Sequence, residues 1–181
     1  IDTQCHFREP GGEHKETIKT GTMSAALGGI VGIFEMPNTN PLTTTPEALE
    51  HKIKRGTETA YTDFAYYFGG TFENSKNLPS WEKLDGVCGI KIFMGASTGN
   101  LLSATDEEVE AVVANGKRVI AVYAEDEFLM NENKKTILKD STDVGMHCKW
   151  RDVNSSLNAT KRVVSLAKKH NRHVHVLHIT T

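Results

Sequence analysis

The chain has 181 residues, of which 38% are hydrophobic and 24% are charged, and its formal net charge is -2. This length and apolar content suit one ordinary globular domain or part of a larger one. The near-neutral charge and the scattered Lys and Arg residues give no reason to expect a nucleic-acid or membrane partner. No apolar run reaches the roughly 18 to 20 residues that a membrane span needs.

The cysteines give no sign of a disulfide framework or a metal site of their own. There are three, Cys5, Cys88 and Cys148, at no metal-like spacing. No signal peptide is visible at the start of the sequence, which begins at Ile1. We therefore expect a reduced, cytoplasmic setting.

Short β-rich runs alternate with helical segments along the chain. Strands rich in Val, Ile, Phe or Tyr are predicted at residues 1–6, 32–36, 62–68, 86–93, 118–123 and 173–179. Helices with apolar residues at helical spacing, or with Thr, Pro and acidic start signals, are predicted at residues 17–27, 45–55, 105–114 and 157–170. The longest irregular stretch, residues 138–154, is interpreted as an active-site loop. This alternation predicts β-α units around a parallel sheet.

Polar side chains follow the first two predicted strands. Residues on a strand alternate sides, so Gln4, His6 and Arg8 are expected to point the same way. His6 is then a candidate metal ligand and Arg8 a candidate carboxylate clamp, although an ordinary strand end with a hydrogen-bonded His and a solvated Arg is the commoner explanation for these residues alone. Asn38 lies in a loop between two prolines, which either aims its amide at a ligand or forms a plain turn.

The later strands carry further candidates. Lys91 interrupts an apolar strand, where it must be paired, neutralised or modified, and a neutral amine can react with carbon dioxide to give an anionic carbamate. A Lys that reaches solvent from a strand end is the alternative. The acids Glu125 and Asp126, after the fifth strand, either cap the next segment or take part in acid-base chemistry, and capping is the commoner use. His178, at the end of the sixth, is a candidate ligand or a hydrogen-bonded strand His.

Four motifs in this order resemble those of dihydroorotases of the amidohydrolase superfamily. They are HFREPG at residues 6–11, EMPNTNP at 35–41, GIKIFMG at 89–95 and HVLHIT at 175–180. The resemblance implies an α/β fold, a (β/α)8 TIM barrel, with about six of the eight units in this chain. Residues 1–181 would then form an incomplete metal-dependent hydrolase barrel, without strands 7 and 8 or the small β domain, and its two sheet edges would be open.

The resemblance also implies an activity and a site. These enzymes interconvert N-carbamoyl-L-aspartate and dihydroorotate in pyrimidine synthesis, with one or two zinc ions often bridged by a carboxylated lysine. His6, Lys91 and His178 match metal ligands, and Arg8 and Asn38 match the pair that grips the substrate carboxylate. Arg suits that role because its guanidinium binds a carboxylate bidentately.

The chain departs from the family pattern at three places. Gln4 stands where the first ligand is usually His, and Tyr123 stands where the fifth-strand ligand is usually His. A glutamine carbonyl is a poor zinc ligand, and a phenol with an ordinary pKa near 10 binds zinc only if strongly activated. The general-base Asp of the eighth strand is expected beyond Thr181, so the isolated fragment is predicted to be inactive.

Three functions remain open at this point. One is a catalytic dihydroorotase, expected as a homo-oligomer. Another is a non-catalytic homologue that serves as a structural or regulatory partner, for example of aspartate transcarbamoylase. The last is a related cyclic-amide hydrolase such as an allantoinase or hydantoinase, although Arg8 and Asn38 favour a substrate that carries a carboxylate.

Overall fold

Six parallel strands form one curled half-barrel sheet in the computed structural model, which describes residues 1–96 and 101–179. The strands are β1 to β6 in chain order and pair in that same order, at Asp2–Cys5, Gly32–Glu35, Asp63–Gly69, Val87–Phe93, Ile120–Tyr123 and Val174–Val176. Each strand pairs in parallel with the next. The predicted α/β class and six strands are confirmed.

Helices connect the strands. They are α1 to α7, at Ile18–Leu27, Pro46–Thr59, Leu78–Trp81, Asp106–Val113, Glu127–Asn133, His147–Trp150 and Val153–Lys169. Their starts follow local chemistry, since Thr17, Thr45 and Thr105 each accept a hydrogen bond from the first turn. Within the residues described, no helix is both long and apolar enough to cross a bilayer.

A layer of buried apolar side chains covers each face of the sheet. The larger layer lies between the sheet and the helices α2, α4 and α7, and it includes Ile90, Ile92 and Val163. The smaller layer lies on the opposite, inner face and joins Met36, Tyr67, Ala121 and Leu177. Since side chains alternate along a strand, Lys91 points to the inner face, between the buried Ile90 and Ile92.

Several predicted boundaries after β5 were wrong. The predicted loop at residues 138–154 contains a 3-10 turn at Val144–Met146 and the helix α6, and α7 begins at Val153 rather than at residue 157. The helix α5 was not predicted, although the capping role considered for Asp126 is confirmed, because its carboxylate accepts from the N–H groups of Phe128 and Leu129. These helices are short and polar, so their apolar periodicity is weak.

Candidate active site at the carboxyl ends of the strands

His6 and Arg8 lie just beyond the end of β1, in a loop that departs from strand geometry. The strand ends at Cys5, and Arg8 has a positive φ of 64°. The predicted alternation of Gln4, His6 and Arg8 therefore fails at Arg8. The Nη1 atom of Arg8 is buried and has no hydrogen-bond partner. Residues in sparsely populated backbone conformations cluster at functional sites, and a buried polar atom without a partner often marks one. Both features of Arg8 are therefore typical of a binding site.

The carboxylate of Glu9 holds this loop in place. Glu9 is buried and accepts hydrogen bonds from the backbone N–H of Ile18, at 2.7 Å, and from Nε of Arg55, at 2.8 Å. Ile18 is the first residue of α1 and Arg55 belongs to α2. The residue next to Arg8 is thus tied to two helices, which fixes where the Arg8 side chain begins.

The loops after β1 and β2 dock directly on each other. The backbone N–H of Asn40 donates to the carbonyl of Pro10 at 2.9 Å. Gly11 has φ of 92°, and a Cβ at this position would lie 2.4 Å from the Asn40 carbonyl oxygen, so only glycine fits. Between these loops lies a cleft of about 180 Å³, lined by Arg8, Gly12, Asn38 and their neighbours. Arg8 and the buried Asn38 are therefore brought together, as predicted.

A buried ion pair supports the end of β2 from the helix side. Glu35 and Lys52 are each 1% exposed and form an ion pair, and Lys52 also donates to the Met36 carbonyl at 3.1 Å. Burial raises the pKa of Glu35 to about 7, against the opposing effect of Lys52. This pair joins β2 to α2 directly beneath the Asn38 loop.

His6 is held in its neutral form. Burial and, to a smaller extent, the positive charge of Arg8 lower the pKa of His6 to about 4, while the Asn38 side chain opposes the shift through a hydrogen bond. The Nδ1 atom of His6 is buried, and the residues described offer it no hydrogen-bond partner. A neutral imidazole with an unpartnered ring nitrogen is the form that binds metal ions.

Lys91 is buried in a way that favours an uncharged amine. It is 1% exposed, its Nζ donates to the Ile92 carbonyl at 2.9 Å, and Nζ lies 3.8 Å from the centre of the Phe93 ring. Among the residues described, no carboxylate forms an ion pair with it. Burial lowers the pKa of Lys91 well below its ordinary value. Burial therefore favours the neutral amine that carbamate formation requires.

Tyr123 is engaged by two charged partners at the end of β5. Its hydroxyl donates to Glu125 and accepts from Nη1 of Arg151, and Glu125 and Arg151 also form an ion pair. Burial and the neighbouring Glu125 raise the pKa of Tyr123, so the phenol keeps its proton. The activation that a zinc-binding phenol needs is therefore not provided.

His178 lies beyond β6, opposite Tyr123. Its backbone has φ of 36°, and the two ring centres are 5.2 Å apart. Burial is the main cause that lowers the pKa of His178, and a proton on Lys91 would lower the pKa of both His178 and His6 further. Lys91 is thus close enough to influence both predicted His ligands.

These residues fit a zinc site only in part. His6, Lys91 and His178 offer two neutral imidazoles and a modifiable amine at one end of the sheet. Gln4 is half-buried in β1 and adds at most a neutral carbonyl. Among the residues described, no three His, Cys, Asp or Glu side chains form a metal-binding group. The position of Tyr123 does not suit a metal ion.

Two residues of this region escaped the sequence analysis as site residues. Arg151 lies in the stretch predicted as an active-site loop, but no local signal connects it with Tyr123, 28 positions away. Glu9 belongs to the HFREPG motif, and that membership is the signal that could have marked it.

A family model described as "Dihydro-orotase-like" matches residues 1–181, the whole chain. Among curated relatives, a dihydroorotase of Methanosphaera stadtmanae is 34% identical over all of this chain and 41% of its own length. A dihydroorotase of Staphylococcus epidermidis is 32% identical, again over all of this chain and 42% of its own length. The chain thus spans about two fifths of the length of these relatives.

Solved structures of similar fold are hydantoinases. An L-hydantoinase (dihydropyrimidinase) from Arthrobacter aurescens matches with a TM-score of 0.89 and 28% identity, over 98% of this chain and 41% of that chain. A D-hydantoinase matches with a TM-score of 0.84 and 25% identity, over 99% of this chain and 41% of that one. With four motifs at the strand ends and a family match along its whole length, the chain belongs to the dihydro-orotase-like family.

Proposed function

We propose that this chain forms part of the catalytic barrel of a dihydroorotase, which interconverts N-carbamoyl-L-aspartate and dihydroorotate. The observation that supports this best is that Arg8 lines a cleft with Asn38 and has a buried Nη1 atom to which the described part of the chain offers no hydrogen-bond partner. A guanidinium with an unused donor in a cleft suits a substrate carboxylate. The complete enzyme would close an eight-stranded barrel, of which β1 to β6 are six strands.

The chain's own side chains bind and orient the substrate in this proposal. Arg8 forms charge-assisted hydrogen bonds to the carboxylate, and the Asn38 amide completes the grip with a donor that needs no charge. The hydrogen bonds of Glu9 to Ile18 and Arg55 keep Arg8 at a fixed distance from the ends of the other strands. The susceptible ring amide is thereby directed toward His6 and Lys91.

Zinc is the metal that this donor set would hold. His6, His178 and a carbamate formed on Lys91 would be its ligands, and the neutral states of His6 and Lys91 suit that role. When bound, zinc supplies Lewis-acid polarisation of the ring carbonyl.

A turnover assay with matched substrates tests the proposal. The protein, in the longest form in which it is naturally produced, is assayed with N-carbamoyl-L-aspartate, dihydroorotate, hydantoin and dihydrouracil. We expect turnover of the two carboxylate-bearing compounds and at least tenfold less of the other two. Equal or better turnover of hydantoin or dihydrouracil would assign the chain to another cyclic-amide hydrolase.

One observation favours a second candidate, a non-catalytic homologue that acts as a structural or regulatory partner, for example of aspartate transcarbamoylase. The Tyr123 hydroxyl is occupied by Glu125 and Arg151, which leaves fewer ligands for a metal ion. This candidate predicts carboxylate binding without turnover, together with co-purification of an intact partner enzyme. Turnover of N-carbamoyl-L-aspartate by the purified protein would exclude it.

A further inference from the structure

The guanidinium of Arg151 lies at the carboxyl end of β5. Arg151, which follows α6, reaches back to Tyr123, the last residue of β5. Its Nη1 contacts the Tyr123 hydroxyl and the Glu125 carboxylate, and its Nη2 donates to the Ala96 carbonyl at 2.8 Å. One guanidinium thereby joins the ends of β4 and β5 to the segment before α7.

This arrangement is sheltered and fixed from several sides. The side chains of Arg151 and Glu125 are 17% and 16% exposed. The guanidinium also packs over the Trp150 ring, with its central carbon 4.5 Å from the ring centre. A planar guanidinium that is stacked, paired and bonded to a carbonyl has little freedom to leave.

The Tyr123 hydroxyl has no capacity left for a metal ion. A phenol offers one donor and a small acceptor capacity, and here the donor goes to Glu125 while Arg151 donates to the oxygen. Glu125, the nearest carboxylate that could attract a metal, already has its charge balanced by Arg151. A metal ion bonded to Tyr123 would also lie beside a guanidinium that is always protonated, and like charges at that separation repel.

We propose that the guanidinium of Arg151 is the permanent cation at the carboxyl end of β5, so that this side of the site excludes a metal ion and the whole site binds at most one. The inference rests on the proposed function for the remaining metal position, at His6, Lys91 and His178. It concerns how many ions bind and where, and turnover is measured separately.

Metal content after zinc loading and desalting tests the proposal in the naturally produced protein. We expect no more than one equivalent of zinc in the parent and no gain in Tyr123→His or Arg151→Gln alone. The first leaves the guanidinium in place, and the second leaves a protonated phenol beside Glu125 where an imidazole is needed. The double variant Tyr123→His/Arg151→Gln is expected to gain about one equivalent.

Arg162 provides a matched control, because it also forms carboxylate ion pairs, with Asp106 and Asp126, and donates to a backbone carbonyl, that of Ala104. Tyr123→His/Arg162→Gln should show no gain. Two equivalents in the parent would overturn the proposal, as would an equal gain in Tyr123→His alone. A folded double variant that gains nothing would overturn it as well.

A measurement on the parent alone covers the case in which the double variant fails to fold. Crystals soaked in zinc should show no anomalous peak within about 3 Å of the Tyr123 hydroxyl oxygen, beyond any zinc–oxygen bond, and a peak there would overturn the proposal. Turnover with two bound ions would leave the proposed function standing and refute this inference. One bound ion without turnover would refute the proposed function and leave this inference standing.

Discussion

The ends of β1 and β2 differ from the ends of β5 and β6 in how each uses an arginine. Arg8 lines a cleft and has a buried nitrogen without a hydrogen-bond partner among the described residues, while the donors of Arg151 go to a carboxylate, a phenol and a carbonyl. The first arrangement is open to an anionic ligand and the second is closed. The difference teaches that an arginine at these strand ends can either keep a donor available for a ligand or use its donors within the protein.

The largest expected effect comes from removing the guanidinium of Arg8. Arg8→Met should weaken dihydroorotate binding about 100-fold, because charge-assisted hydrogen bonds contribute about 1.5 to 3 kcal/mol each and 1.4 kcal/mol corresponds to tenfold. Titration calorimetry measures this. Arg118→Gln, an exposed residue next to β5, is the control and should bind normally. Unchanged binding in Arg8→Met would remove the contrast between the two regions.

Lys91, which lies between the two regions, provides the next test. Lys91→Met should lower zinc content at least tenfold, since it removes the amine that would form the carbamate ligand. In ¹³C-bicarbonate, the parent should show a carbamate carbon signal by NMR that the variant lacks. The exposed Lys117→Met serves as the control. A signal that persists in Lys91→Met would assign the carbamate to another lysine.

The hydrogen bonds of Glu9 to Ile18 and Arg55 provide the third test, because they hold the Arg8 loop in place. Glu9→Gln keeps the shape but weakens the bonds to Ile18 and Arg55, which should lower the free energy of unfolding by about 1 to 3 kcal/mol. Dihydroorotate binding should weaken as well, because the Arg8 loop is no longer fixed. Urea denaturation and calorimetry measure the two effects. Glu50→Gln, exposed on the same helix as Arg55, should change neither.

The smallest expected effect is the pH response of His6. Its folded pKa of about 4 lies below the ordinary value of about 6.5, so only the unfolded chain takes up a proton between these values. The free energy of unfolding should therefore fall as pH drops from 6.5 to 4, and His6→Gln should make that decline shallower by about 1 to 2 kcal/mol at pH 5. Urea denaturation from pH 7 to pH 4 measures it. Exposed His51→Gln is the control, and parallel curves for His6→Gln and the parent would contradict the expectation.

The sequence predicted the sheet well because its strands carry strong local signals. β4 and β5 are apolar runs bounded by polar or glycine residues, and Thr45 with Pro46 marks the start of α2. The segment between β5 and α7 was predicted poorly because its helices are short, and Asp152 rather than an apolar stripe marks where α7 begins. Capping signals of that kind are hard to distinguish from loop residues in a polar stretch.

The candidate site was predictable where it depends on motifs and not where it depends on distant pairing. Arg8 and Asn38 follow neighbouring parallel strands, so their proximity follows from topology. The positive φ of Arg8 depends on tertiary packing, and so does the contact of Arg151 with Tyr123, which lie 28 positions apart. Tyr123 was recognised as an unsuitable ligand, but what replaces a metal ion beside it could be seen only in the structure.

The most direct test of the open carboxylate site compares two rings that differ only in the carboxylate. Titration calorimetry of the naturally produced protein with dihydroorotate and with dihydrouracil measures the contribution of Arg8 and Asn38 directly. We expect dihydroorotate to bind at least tenfold more tightly, with the preference lost in Arg8→Met. Equal affinity for the two rings, or a preference for dihydrouracil, would contradict a site built to read a carboxylate.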